Sequence, residues 1–227
     1  MTMNRLKPTI LLICRIIIGV TFIFSGFVKA VDPLGSTYKF IDYFNAFGIG
    51  WANGLAFGLA VLQNVVEFTL GVMVLFNLRL RLSSALVLAF MVFYTPLTLY
   101  IAIANPVHDC GCFGDALVIT NWQTFFKNLV LLAAAILVFA WRDKSDNRLT
   151  VNEQWALSGA TAVAIAVFCG YSHRHTQVLD FRPYSVGTSI PEKMERPAGA
   201  PADVWVKTKH KILKIFKISG ILSSGCA

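Results

Sequence analysis

Long apolar runs alternate along the chain with short polar gaps, and each run is near the length that crosses a bilayer. A hydrocarbon core of about 30 Å takes roughly 20 helical residues. The runs at 8–31, 52–76, 82–104 and 121–141 reach that length, and a shorter fifth lies at 154–171. Backbone amides in lipid must be satisfied within the segment or in a closed barrel, and barrel strands would be shorter and alternating. The pattern therefore predicts an all-α integral membrane bundle. Its punctuation is equally legible: Asp32-Pro33 ends the first span and Asn105-Pro106 the third, while 77–81 is a tight turn between the second and third. The gap at 32–51 is rich in Phe, Tyr and Gly, and residues 38–44 have the pattern of a short amphipathic helix lying at the interface.

Composition agrees with this picture. Of 227 residues, 56% are hydrophobic and 14% charged, against roughly a quarter charged in ordinary soluble domains. The first span is too long, and too polar after Ser25, to be a cleaved signal peptide. The formal net charge is +8, but lysines beyond Trp205 supply much of it, so the basicity gives no reason to expect a nucleic-acid partner. The bilayer is the expected partner. Arg5, Lys7, Arg79, Arg81, Arg142, Lys144 and Arg148 all fall on one side of the expected topology, whereas the gap at 105–120 has no Lys or Arg. The positive-inside bias puts the first set in the cytoplasm. The 105–120 loop and the tail after the fifth span then face outward, toward the periplasm of a Gram-negative cell, where disulfides persist.

Candidate chemistry sits in that loop, where residues 108–115 read His-Asp-Cys-Gly-Cys-Phe-Gly-Asp. Two thiols flanking one glycine can act as a dithiol switch. Gly111 removes the Cβ that would resist bringing Cys110 and Cys112 to about 2.05 Å, and so small a ring is strained and comparatively oxidising. His108 is a candidate stabiliser of a thiolate, opposed by Asp109 and Asp115. Two other readings compete: a structural disulfide bracing the loop, and a metal site drawing on His108, Asp115 or His173 and His175, although Cys-x-Cys without a second pair is not a usual zinc spacing. Cys14 reads as a packed thiol, and Cys169 as a candidate resolving thiol at the outer end of the fifth span. Within the spans, Arg15, Glu67 and Lys127 are ionisable, with Gln63 and Asn64 on the face of Glu67. Such groups line bundle interiors or cavities and are functional candidates by default. Glu67 and Lys127 form a candidate ion pair and Arg15 is low enough to snorkel; for all three a role in gluing helices or setting topology stands first, beside a proton relay or the holding of a quinone.

The segment from Arg15 to Lys29, Arg-Ile-Ile-Ile-Gly-Val-Thr-Phe-Ile-Phe-Ser-Gly-Phe-Val-Lys, resembles the first helix of DoxX-like membrane proteins. Asp-Cys-Gly-Cys-Phe-Gly-Asp at 109–115, followed by Thr-Asn-Trp-Gln-Thr at 120–124, resembles the MauE-related branch of that group. The resemblance covers roughly residues 8–142. It implies a four-helix core and a part in periplasmic thiol chemistry, since MauE is implicated in making or maintaining disulfides in a partner enzyme subunit and other relatives feed electrons to quinone. The expected organisation is a core at 1–142 containing the loop at 105–120, a turn and fifth helix at 143–172, and a periplasmic tail at 173–227 whose abrupt change of composition after Trp205 reads as a surface-lying basic stretch or as a truncated or frame-shifted end. The expected function is thiol–disulfide exchange by Cys110, Cys112 and His108 with a periplasmic thiol or disulfide protein, at the bacterial inner membrane, with a quinone as candidate acceptor and no resident metal. A non-catalytic membrane scaffold with a structural loop disulfide, and a small-molecule or ion transporter built on Glu67 and Lys127, are the alternatives.

Overall fold

The computed structural model describes residues 3–106, 111–114, 116–117, 119–142 and 149–175. All secondary structure among the described residues is helical: α1 (Met3–Val31), α2 (Pro33–Ala46), a 3-10 turn (Gly50–Leu55), α3 (Ala56–Leu75), α4 (Leu80–Ala104), α5 (Asn121–Trp141) and α6 (Val151–Arg174). Five segments are long and apolar enough to cross a membrane: Lys7–Val31, Gly50–Leu75, Leu80–Ala104, Asn121–Trp141 and Val151–Arg174. The chain is a multi-pass membrane protein.

Helix ends follow from local sequence. Asp32 ends α1 and also caps α2, its carboxylate accepting from Gly35 N at 3.0 Å with Pro33 in the first turn. That double use explains why α2 is longer than the interfacial helix expected at 38–44: the dipeptide that stops one helix is also a strong start signal for the next. The fifth span likewise begins earlier than the apolar run does. Thr150 and Glu153 form a capping box, with Glu153 accepting from Thr150 N at 2.7 Å, and Thr120 with Gln123 does the same for α5. Each box satisfies two otherwise orphaned amides of a first turn.

Packing arranges α1, α3, α4 and α5 as a four-membered ring, α1 lying against α3 and α5, and α4 against α5 and α3. The core between them is built from Leu11, Ile18 and Phe22 of α1, Leu70, Met73 and Val74 of α3, Val87 and Met91 of α4, and Leu131, Ala135 and Val138 of α5. The α1–α3 approach is the tightest. A Cβ on Gly71 would lie 2.7 Å from the backbone nitrogen of Ile23, and one on Gly26 would lie 2.7 Å from that of Phe68. In lipid, where apolar side chains gain little by leaving one apolar medium for another, such close backbone packing supplies much of the association energy. Outside the ring, α6 lies on α3 and α1, and α2 packs on α3, α1 and α6.

Polar side chains inside the bundle close helix ends as well. Arg15 donates to the carbonyls of Val74 and Leu75, both at 3.0 Å, in the last turn of α3. Asn64 of α3 returns the service by donating to the Lys29 carbonyl in the last turn of α1 at 3.1 Å. Terminal carbonyls have no partner within their own helix and no water at membrane depth, so these bonds replace hydration. Gln154 ties α6 to the α3–α4 turn: its Oε1 accepts from Arg79 N at 2.7 Å, and Arg79 lies over the Trp155 ring at 5.3 Å.

Candidate functional site

Between α1, α2, α3, α4 and α5 lies a cavity of about 240 Å³. It occupies the half of the bundle that adjoins α2 and the cysteine loop, reaching from Lys29 near the end of α1 inward to Phe22 and Met91. At 1.5 Å per residue, Phe22 is about 13 Å below the end of α1, and Lys127 about 9 Å below the start of α5. The walls are mainly aromatic, with Phe22 on α1, Phe40, Tyr43 and Phe44 on α2, and Phe90 and Tyr94 on α4. Phe47 and Phe93 on its rim are 42% and 65% exposed. Because Phe93 sits midway along membrane-spanning α4, that exposure is to acyl chains.

Into this apolar space the sequence places a few polar groups. Lys29 Nζ and Glu67 Oε2 form an ion pair at 2.7 Å, with 9% and 7% of their side chains exposed. Lys127 Nζ lies 4.2 Å from the centre of the Phe113 ring. Gln63 and Lys39 also border the cavity, as do Gly111 and Cys112 of the cysteine loop.

The described part of that loop is seated on the bundle at several points. The Ser25 hydroxyl on α1 donates to the Cys112 carbonyl. Phe113 lies between Lys127 and Phe24, its ring 5.6 Å from that of Phe24. Gly111 and Gly114 have φ of +64° and +53°, the left-handed region that glycine enters without a Cβ penalty. Gly111 has a second reason to be glycine, since a Cβ there would meet the Lys39 Cγ at 2.9 Å.

The sequence-derived candidates divide accordingly. Glu67, Lys127 and Cys112 share the cavity, but Glu67 and Lys127 do not form the expected pair. They sit on α3 and α5, which face each other diagonally across the ring, whereas Lys29 lies on α1, directly packed on α3. Arg15 does not line the cavity and does not reach for headgroups, because the α3 carbonyls hold its guanidinium. Cys169 is 1% exposed, packed with Ala30 and Ile165 where α6 meets α1 and α3, which removes it from consideration as a resolving thiol for the loop. His173 lies against Phe57, the rings tilted by 46° with centres 4.7 Å apart, and no group of three or more His, Cys, Asp or Glu converges among the described residues. His108, Asp109, Cys110 and Asp115 lie outside the described residues. Lys29, Ser25 and Phe113 are the site residues that sequence reasoning missed. The lysine had a signal: it stands two positions before the end of an apolar span, level with a carboxylate on another.

A multi-pass helical bundle with a cysteine loop seated on an aromatic cavity defines the class. Residues 7–141 match the model of the methylamine utilisation protein MauE, more than half of the chain, and the chain belongs to that family. The match ends with α5, so α6 lies beyond it. No curated protein and no solved structure matches the chain.

Proposed function

We propose that this protein exchanges thiols and disulfides at the outer face of a bacterial inner membrane, with Cys110 and Cys112 as the redox pair, His108 as a thiolate stabiliser, and a periplasmic thiol or disulfide protein as partner. The observation that carries the reading is the seating of the loop. A segment needed only to join α4 to α5 has no use for two glycines in left-handed conformation, a hydroxyl bond from α1 to the Cys112 carbonyl and an aromatic ring held against a membrane-depth lysine. Together these fix the backbone that carries the second thiol at the mouth of a cavity. Such fixation is what a dithiol needs if its two sulfurs are to meet a partner in a defined geometry. Membership of the MauE family, and the DoxX-like first helix, support the same reading, and the family's name suggests that the partner belongs to methylamine utilisation.

The test is a redox titration of the full chain in detergent, counting free thiols by mass-tag labelling against graded glutathione buffers and assigning them by peptide mapping. A Cys110–Cys112 midpoint well above about −300 mV marks an exchange-competent disulfide. A pair that stays oxidised below that value is a structural brace, and the protein is then a membrane scaffold.

A further inference from the structure

We infer that the aromatic cavity binds a long-chain fatty acid as its carboxylate, the head held by Lys127 and the tail leaving between α2 and α4 into the bilayer. The site goes beyond the thiol reading and does not depend on it. Charge selects the head. Of the lysines that border the cavity, Lys29 is neutralised by Glu67 at 2.7 Å and Lys39 is engaged in a contact of its own. Lys127 forms no ion pair among the described residues, and its ammonium faces the Phe113 ring at 4.2 Å. At about 9 Å below the start of α5, a ring face compensates a cation less well than an anion does. A carboxylate entering the cavity supplies that anion.

Shape selects the rest of the molecule. The inner end of the cavity is closed by Phe22, Met91 and Leu131, all buried. The flank between α2 and α4 is thinner: α2 packs on α3, α1 and α6, and meets α4 where the Phe47 and Tyr100 rings lie 5.8 Å apart. Deeper in α4, Phe93 borders the cavity and is 65% exposed at the middle of the span. A ligand therefore enters sideways from the acyl chains and keeps an apolar tail outside. An apolar cavity of about 150 Å³ accommodates benzene, so about 240 Å³ holds a carboxylate and the first methylenes of one chain. The glycerol, phosphate and paired esters of a phospholipid exceed that volume, and its phosphate belongs in the headgroup layer, shallower than Lys127.

The experiment uses the full chain, delipidated in dodecyl maltoside, titrated with palmitate, methyl palmitate or dioleoyl phosphatidylglycerol and read by native mass spectrometry. The expected result is saturable binding of one palmitate per chain, with methyl palmitate weaker by about tenfold or more, the usual loss with a charge-assisted hydrogen bond. Lys127→Met should weaken palmitate by a similar factor, and Lys127→Arg should keep most of the affinity; a melting temperature close to the parent's shows that each variant has folded. Entry is read by fluorescence: stearate brominated at mid-chain should quench Phe93→Trp more than the parent. Methyl palmitate binding as tightly as palmitate overturns the carboxylate, a result that needs no variant. Phosphatidylglycerol displacing palmitate at equal concentration overturns the single-chain ligand. Undiminished palmitate binding by Lys127→Met overturns the location, and no added quenching in Phe93→Trp overturns the exit between α2 and α4.

Discussion

The two halves of the bundle use their membrane-depth cations differently. In the half that adjoins the α3–α4 turn, Arg15 is committed to the Val74 and Leu75 carbonyls, and the core around Leu11, Ile18 and Val138 closes over it. In the half beneath the cysteine loop, the carbonyl-capping task falls to the neutral Asn64, which bonds the Lys29 carbonyl. The charges of that half, Lys29 with Glu67 and Lys127 against Phe113, instead border an aromatic cavity. An ionisable residue in a membrane span is therefore not by its presence a functional one. What separates the two cases is whether the group is consumed by helix ends or faces an open volume.

The largest effect that would sharpen this contrast comes from the ion pair. Glu67→Ala leaves the Lys29 ammonium buried without its carboxylate, and breaking such a pair typically costs about 3–5 kcal/mol. Replacing both partners, Lys29→Met with Glu67→Leu, removes the charge problem and should recover most of that loss. Thermal unfolding in detergent checks the difference. Equal losses in the single and double variants would mean that the two groups are not coupled and that the pair does not shape the cavity.

Arg15→Met should come next, at about 2–3 kcal/mol, because it removes two charge-assisted bonds to α3 carbonyls and leaves the Val74 carbonyl with only its backbone bond from Asn77 N. Its signature is a lower melting temperature with an unchanged rate of thiol exchange by the molecules that remain folded. A selective loss of exchange would erase the distinction between the halves. A smaller loss, about 1–3 kcal/mol, is expected for Gly71→Ala, whose Cβ would push on the Ile23 backbone and separate α1 from α3. Since Lys29 and Glu67 meet across that same contact, the variant should also weaken the coupling seen in the double-variant comparison.

Legibility in the sequence followed the range of the interaction. The five spans could be read because a run of apolar residues declares itself without reference to any other segment; the caps at Thr120 and Thr150 act on amides within a few positions and are just as local, but they went unread, and the fifth span was expected to start at 154. Likewise, Asp32-Pro33 was legible as a stop and overlooked as a start, which is why α2 exceeds its expected length. The site was only half legible. Glu67, Lys127 and Cys112 declare themselves by type and depth, but which cation meets Glu67 depends on which helices touch. That choice is made by Gly19, Gly26 and Gly71, whose missing side chains let α1 and α3 close, and nothing local to Glu67 records it. Phe113 is a similar case: as a lone aromatic in a polar loop it carries no periodic signal, and its role emerges only once α5 presents Lys127 to it.

The smallest stability effect should fall on Lys127. Lys127→Met removes a cation from the face of Phe113, a contact worth about 0.5–2 kcal/mol, and replaces it with a side chain of similar length that still fills part of the wall. Global unfolding should barely move. Locally, the loss should show as faster amide exchange at Phe113 and Gly114, because the Lys127 contact is one of the few that seat this segment, together with the Ser25 bond to Cys112 and the Phe24 ring. If exchange at those amides is unchanged, the loop is held by its other contacts, the Ser25 bond and the Phe24 ring among them, and Lys127 is left to act on whatever fills the cavity. If it rises together with slower thiol chemistry, Lys127 serves the site by positioning the loop. Restoring the cation with Lys127→Arg separates the two, since a guanidinium over Phe113 re-seats the loop equally well but presents a planar fork to the cavity in place of a point charge.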